Sequence, residues 1–382
     1  MILQRRARVW PFGNLRVRLA AMLAGGVLIA TACLGATAGA VTTATASFTT
    51  PGWYVFIVPA GVTSVSLTVV GAAGGGSFGT DVGGLGASAA STPCDGCFGD
   101  PLPIAVPVHP DDLLLVQVGG VGARGSREGH AAGGFGGGAV GGFDADPAGG
   151  LGGLGGGGGG GASSVTNEDT GTLLAVAGGG GGAGYGENGG DADSGAFGCN
   201  LGSPLTCAEG GGAGTQTAGG AGGSGGAGGG AGYPGQFRFG GPGGNAGNSD
   251  FGNAGGGGGG GYYGGGGGGA GASNEVFGGG GGGGSTFVAP LASTSGAPSP
   301  TDAPAQVLIT YDTPTTLVGG SGNDRLSGGP GHDRLSGGRG NDRVFSSDGQ
   351  RDVIDCGRGH DVAIVDAVDR TRHCETVIRA RR

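Results

Sequence analysis

Nine residues recur three times without a gap near the end of this chain, and their types and spacing suit one kind of chemistry. The first copy is Gly319-Gly320-Ser321-Gly322-Asn323-Asp324-Arg325-Leu326-Ser327. Gly328-Gly329-Pro330-Gly331-His332-Asp333-Arg334-Leu335-Ser336 and Gly337-Gly338-Arg339-Gly340-Asn341-Asp342-Arg343-Val344-Phe345 follow. The pattern is G-G-x-G-x-D-x-U-x, with U apolar. Glycines let a loop take φ values that a Cβ forbids. Loop carbonyls and the aspartate carboxylate are hard oxygen donors, which calcium gathers about six to eight at a time.

Each nonapeptide reads as one loop and one short strand, with Leu326, Leu335 and Val344 turned into a thin core. Two nonapeptides make a turn, so like loops recur every second copy. Asp324 and Asp342 stand 18 apart, and Asp333/Asp352 and Asp342/Asp361 stand 19 apart. The copies then decay. Ser347-Asp348-Gly349-Gln350-Arg351-Asp352 keeps the carboxylate and loses the glycine pair. Cys356-Gly357-Arg358-Gly359-His360-Asp361 recovers the pattern, with cysteine in the first glycine's place. The candidate ion-binding residues are Gly319, Gly320, Gly322, Asp324, Gly328, Gly329, Gly331, Asp333, Gly337, Gly338, Gly340, Asp342, Asp352, Gly357, Gly359 and Asp361. A Gly/Asp-rich turn array without an ion is the competing reading. Over residues 317–363 the segment resembles the RTX, or hemolysin-type, calcium-binding repeat family. That resemblance implies calcium as the cofactor and a short parallel β-roll as the fold.

The rest of the chain limits what this module is attached to. Of 382 residues, 108 are glycine, so one large helical or α/β core is excluded. There is no lysine, which removes the P-loop and Schiff-base chemistries that need an amine. Between residues 41 and 318 three arginines face 18 acids, a balance that repels nucleic acid and attracts divalent cations.

The N-terminus reads as an export signal. Arg5, Arg6, Arg8, Arg16 and Arg18 precede the apolar stretch from Leu19 to Leu34, and Ala38-Gly39-Ala40 offers a cleavage site. A retained anchor and a lipoprotein cut before Cys33 are the alternatives. The remaining six cysteines fall in local pairs, Cys94 with Cys97, Cys199 with Cys207 and Cys356 with Cys374, which predicts three disulfides in an oxidising compartment. The 374–378 segment is expected to fold back as a cap on the roll, pinned by the last pair.

Residues 47–70 read as strands, with Trp53 to Val58 aromatic and β-branched and Ser64 to Val69 alternating at period two. Residues 102–108, 113–118, 172–177 and 306–311 add further strands. In 218–229 the non-glycine residues Ala218, Ala221, Ser224 and Ala227 stand three apart. Three residues per turn is the polyproline II repeat. Glycine helices of that form can pack side by side, bonding through backbone groups; a disordered glycine-rich tether is the other reading.

Val58-Pro59-Ala60-Gly61-Val62-Thr63-Ser64-Val65 with Val70-Gly71-Ala72-Ala73-Gly74-Gly75 resembles the opening of secreted bacterial glycine-rich proteins. Leu173 to Gly180, Gly260-Gly261-Tyr262-Tyr263-Gly264-Gly265, Gly284-Ser285-Thr286-Phe287-Val288 and the strand Val307 to Tyr311 are similar to the glycine-rich region of anaplastic lymphoma kinase. The resemblance covers about residues 47–312. It implies a β-sandwich from which glycine helices project.

The expected fold is therefore all-β: residues 1–40 a signal peptide, 41–314 a glycine-rich β-sandwich with polyglycine II-like helices, and 315–382 a calcium-binding β-roll with its cap. No catalytic constellation stands out. Gly222-Gly223-Ser224-Gly225-Gly226 matches a nucleophile elbow only formally, because it sits in the period-three tract. His109 beside Asp111 and Asp112 reads as a turn, His130 stands alone in a glycine loop, and His332 and His360 read as solvent-facing. Cys94-Asp95-Gly96-Cys97 lacks the second ligand pair of a zinc site. Tyr262 and Tyr263 read equally as a sugar-binding face or as a cover for a bundle end. The expectation is a secreted or cell-surface, non-enzymatic calcium-binding protein of structural or adhesive role, with a cell-wall or glycan surface as partner. The alternative is a secreted enzyme or toxin whose repeats serve calcium-triggered folding and export.

Overall fold

Two kinds of repetition, period-two alternation and the nonapeptide, underlie most of the strands of this protein. The computed structural model describes residues 43–78, 81–89, 104–127, 129–143, 154–196, 208–226, 228–246, 252–271, 276–289, 299–329 and 331–379. The export signal and Cys33 lie outside the described residues. The first strands are β1 (Thr43–Phe48), β2 (Gly52–Ile57), β3 (Ser64–Val70), β4 (Gly86–Ala89), β5 (Ile104–Pro107) and β6 (Leu113–Val118). β7 (Ser163–Asn167), β8 (Thr172–Ala177), β9 (Phe287–Val288), β10 (Ser299–Thr301) and β11 (Gln306–Asp312) follow. The repeat region forms β12 (Thr316–Gly320), β13 (Arg325–Ser327), β14 (Arg334–Arg339) and β15 (Arg343–Ser346). The chain ends with β16 (Val353–Arg358), β17 (Val362–Val365), β18 (Arg370–Arg372) and β19 (Thr376–Arg379). Among the described residues there is no helix, so none that is long and apolar enough to cross a membrane.

One antiparallel sheet runs β1-β11-β3-β4-β10, with β5 also on β3; the other runs β2-β6-β7-β8-β9. They share one core. Alternation in β3 sends Val65, Leu67 and Val69 inward, where they meet Leu114, Val116, Val118, Val165 and Ala175 of the second sheet and Ile309 of β11. The strand regions read from the sequence all contain strands. β7 was not legible, because Ser163-Ser164-Val165-Thr166-Asn167 has a single aliphatic residue. Its burial between β6 and β8 is tolerated because its polar groups are satisfied: the Ser163 hydroxyl donates to the Val70 carbonyl at 2.6 Å and accepts the Gly119 N–H at 2.9 Å.

The glycine tracts are bonded backbone to backbone with a repeat of three. Gly157 and Gly160 donate to Ala183 and Gly180, Gly158 and Gly161 to Ala123 and Gly120, Gly159 and Ala162 to Ala139 and Gly136. One tract thus serves three neighbours in rotation, and it accepts from Gly257 and Gly260 of a fourth. The interval seen at 218–229 has the same origin: Gly220, Gly223 and Gly226 donate to Gly264, Gly267 and Ala270. Gly220 and Gly223 are buried, while Ala218, Ala221 and Ser224 are exposed. Glycine is required on the inward faces because a Cβ at Gly259 would overlap the Gly179 carbonyl oxygen, and one at Gly160 the Ala72 carbonyl oxygen.

The repeat region winds into two parallel four-stranded sheets, β12-β14-β16-β18 and β13-β15-β17-β19. Leu335, Val344, Ile354, Cys356, Ala363 and Val365 fill the space between them, with Leu317, Leu326 and Cys374 at the margins. Two nonapeptides per coil is the observed register, Leu317 opposite Leu335 and Leu326 opposite Val344. The 374–378 segment differs from expectation. It does not fold back; β19 pairs in parallel with β17, Val377 opposite Ala363, and adds a last coil.

Of the three disulfides that the cysteine spacing predicts, the described residues include one pair. It is bonded, Cys356 to Cys374, with Cα atoms 5.1 Å apart, and it ties the last coil to β16. Cys94, Cys97, Cys199 and Cys207 all lie outside the described residues.

Roll and sandwich meet within one compact unit, Ala36–Arg382. At the seam His332 Nε2 lies 3.1 Å from the Thr63 hydroxyl, which donates to Gln350 at 3.3 Å. His332 is therefore a seam residue rather than the solvent-facing one its variable position suggested, whereas His360 is exposed.

Candidate metal centre

The three glycines of each loop have different duties. The second residue of each copy, Gly320, Gly329 and Gly338 (107°), and the fourth of the later two, Gly331 and Gly340 (122°), adopt left-handed φ, which turns the chain between the parallel sheets. The first leaves room. A Cβ at Gly319 would lie 2.6 Å from Asp324 Oδ2 and 2.5 Å from the Gly337 carbonyl oxygen. At Gly337 it would press on Asp342 Oδ2 and the Cys356 carbonyl oxygen. In the space the missing side chain vacates, a carboxylate oxygen of one coil and a carbonyl oxygen of the next converge.

The aspartates form two ladders along the edges of the roll. On one edge the Asp324 N–H donates to Asp342 Oδ1 at 2.8 Å, the Asp342 N–H to Asp361 Oδ1 at 2.7 Å, and the Asp361 N–H to Glu375 Oε2 at 2.8 Å. On the other, the Thr315 N–H donates to Asp333 Oδ1 at 2.8 Å, the Asp333 N–H to Asp352 Oδ1 at 2.7 Å, and the Asp352 N–H to Asp369 Oδ1 at 2.9 Å. The 18- and 19-residue spacings are the rungs of these ladders.

In Asp333, Asp342 and Asp361 one carboxylate oxygen is thereby held, and the other is left over. Asp324, Asp333, Asp342 and Asp361 each keep a buried Oδ2 without a hydrogen-bond partner. A buried unpaired carboxylate oxygen is costly unless a cation joins it. The donor set suits calcium: hard oxygens only, charged and neutral together. Among the described residues no three metal-binding side chains converge on one point, so carbonyls must supply much of any ion's coordination. Gly319 with Asp324 and Gly337 with Asp342 and the Cys356 carbonyl are the residues that would hold it. Calcium bound there supplies positive charge between coils that otherwise set carboxylates facing one another.

The decayed loop departs from this plan. Asp352 Oδ2 accepts the Ser346 hydroxyl, so its second oxygen is satisfied within the protein. Around it the acids crowd. Burial pushes the Asp333 carboxyl up to about 6, against the Thr315 N–H bond that lowers it, and Asp352 and Asp348 add repulsion. Burial likewise raises Asp352 and Asp369. At the far end Glu375 is lowered by the Asp361 N–H it accepts.

The sequence reading missed Asp369 and Glu375. They occupy the rungs after Asp352 and Asp361, at separations of 17 and 14 residues and outside any glycine pattern. Only their carboxylates and the rough coil length marked them. Of the cysteines predicted to pair, Cys356 and Cys374 belong to the roll, whereas Cys94, Cys97, Cys199 and Cys207 lie outside the described residues. Elsewhere, Asp112 caps a turn by accepting the His109 N–H at 2.8 Å, with the His109 ring in solvent. Tyr262 is stacked on Phe287 with centroids 4.5 Å apart, and Tyr263 packs edge-on against it and Phe237.

No curated protein matches this chain. Residues 315–344 match the family described as RTX calcium-binding nonapeptide repeat (4 copies), and the chain carries calcium-binding repeats of that kind in a parallel β-roll.

Proposed function

We propose that this is an exported protein, without catalysis of its own, whose roll is ordered by calcium and whose glycine-rich sandwich serves a structural or adhesive role at a cell wall or glycan surface. The observation that carries the reading is the convergence of an unpartnered carboxylate oxygen and a carbonyl oxygen beside Gly319 and again beside Gly337. The basic leader, the Cys356–Cys374 disulfide and the acidic middle suit an oxidising, calcium-rich exterior. The threefold hydrogen bonding of the tracts supports a bundle of polyglycine II-like helices, a rigid body with little to offer a reaction. The test is binding of the mature protein to cell-wall preparations and glycan arrays, with millimolar calcium and with a chelator. Calcium-dependent retention is expected. Turnover of an arrayed glycan, or retention on none, overturns the reading.

A further inference from the structure

The outer face of the second sheet carries a feature the calcium chemistry does not explain. Register places Trp53 beside Gln117, Gln117 beside Ser164 and Ser164 beside Val176, one row across β2, β6, β7 and β8. That row floors a cavity of about 250 Å³. Phe135 walls one side, its ring 6.1 Å from Trp53 and edge-on to it. Arg238 and Phe239 wall the other. Trp53, Phe135 and Phe239 are 52%, 42% and 62% exposed, so three aromatic rings face solvent around one hollow.

Arg238 is held there at a conformational cost. It sits at the tip of a tight turn in which Gln236 and Phe239 exchange backbone hydrogen bonds, and its φ is +69°. Left-handed φ suits glycine or asparagine and is unusual for arginine. The turn is fixed on both flanks: the Arg238 N–H donates to the Tyr262 carbonyl at 3.1 Å and the Gly240 N–H to the Gly137 carbonyl at 2.9 Å. Its charge is also unspent. Arg124 donates to the Ser77 carbonyl, and Arg127 lies over Phe78. Arg238 lies over Phe237, and among the described residues no carboxylate pairs with it.

We propose that this cavity binds one ring of an oligosaccharide that carries carboxylate sugars. The proposal rests on the glycan-surface reading above and gives it a site. A pyranose ring presents an apolar C–H face to an aromatic platform and polar edges around it, which matches the floor and walls. Arg238 adds a planar, permanently charged fork that pairs with a carboxylate in two parallel bonds. The volume is below the roughly 300 Å³ at which pockets for whole small molecules begin. It takes one ring, and the polymer continues over the exposed Val55 and Ile57 of β2.

The chain has two tryptophans, so in full-length protein carrying Trp10→Phe the emission of Trp53 alone reports occupancy. With calcium present, oligogalacturonate should change that emission saturably, and a neutral cello-oligosaccharide of equal length should bind at least tenfold more weakly. Arg238→Asn, which tolerates the left-handed φ, should leave the melting temperature in place and weaken oligogalacturonate at least tenfold. Phe239→Ser should weaken both sugars. Three results overturn the proposal: no saturable change with either sugar, equal affinities that Arg238→Asn does not alter, or saturation by polyglutamate alone, which would mark a protein partner. Retention on glycan surfaces with Trp53 silent overturns this site and leaves the surface role standing.

Discussion

Asp333 and Asp342 each make two commitments, one oxygen to an amide of a neighbouring coil and one to the space beside a glycine. Asp342 stands inside its ladder: it accepts from Asp324 and its own N–H reaches Asp361. Asp342→Ala should therefore reduce calcium affinity more than Asp324→Ala or Asp361→Ala, as calcium titration calorimetry of the three variants will rank. Protons compete for the same oxygens. Burial pushes the Asp333 carboxyl up to about 6 against 3.8 ordinarily, so the fold holds its proton more tightly than the unfolded chain does. That contribution is complete below about 3.8 and is lost as pH rises through about 6. The chelated roll should melt lower at pH 7 than at pH 5, while calcium should stabilise it more at pH 7; scanning calorimetry in the four conditions checks the signs. At this scale the motif was legible because one residue type per position does one job. Asp369 and Glu375 were not, since a carboxylate on a final coil needs only the right place, and no glycine pair marks that place.

At the scale of elements, the last coil has little hydrophobic support. All four residues of β19 are exposed, and the coil is held by its ladder, the Cys356–Cys374 bridge and the clasp of Arg372 and His373 on Asp355 at 3.0 and 2.8 Å. A double Cys→Ser variant should lose about 3 kcal/mol from the roll's unfolding transition, the chain-entropy value for a loop of this size. An unchanged transition would mean the coil orders without its bridge. The pairing of Cys356 with Cys374 was readable from spacing. The parallel path of β19 was not, because residues 366–375 break the nonapeptide rhythm that would have announced another coil. The glycine tracts gave their period through the exposed Ala218, Ala221 and Ser224, yet which tract bonds to which cannot be read where every residue is the same. Gly259→Ala tests that packing. Its methyl group would overlap the Gly179 carbonyl oxygen, and a loss of about 1–3 kcal/mol or more in thermal unfolding is expected.

Across the whole molecule, two bodies with different supports share one seam. The sandwich rests on a broad apolar core, and the roll on a thin one flanked by buried, unpaired carboxylate oxygens. Chelation should melt the roll and spare the sandwich, read as a loss of far-ultraviolet β signal while Trp53 emission in the Trp10→Phe chain stays constant. A shift of both would show that the Thr63–His332–Gln350 seam couples them. The bonding of the glycine tracts in threes has a further consequence, for how such a protein can change over generations. An ordinary core drifts by compensation, one side chain growing as its neighbour shrinks. Along all-glycine stretches such as 155–161 and 255–261 there are no side chains to trade, so substitution is closed there as a route. Length remains open, but only in steps that preserve phase. Adding three residues to a tract returns each amide to the neighbour it already faced; adding one sends every later amide to the wrong neighbour. The evolutionary record of such a domain should lie in insertions and deletions counted in triplets of residues, and in the loops where tracts turn.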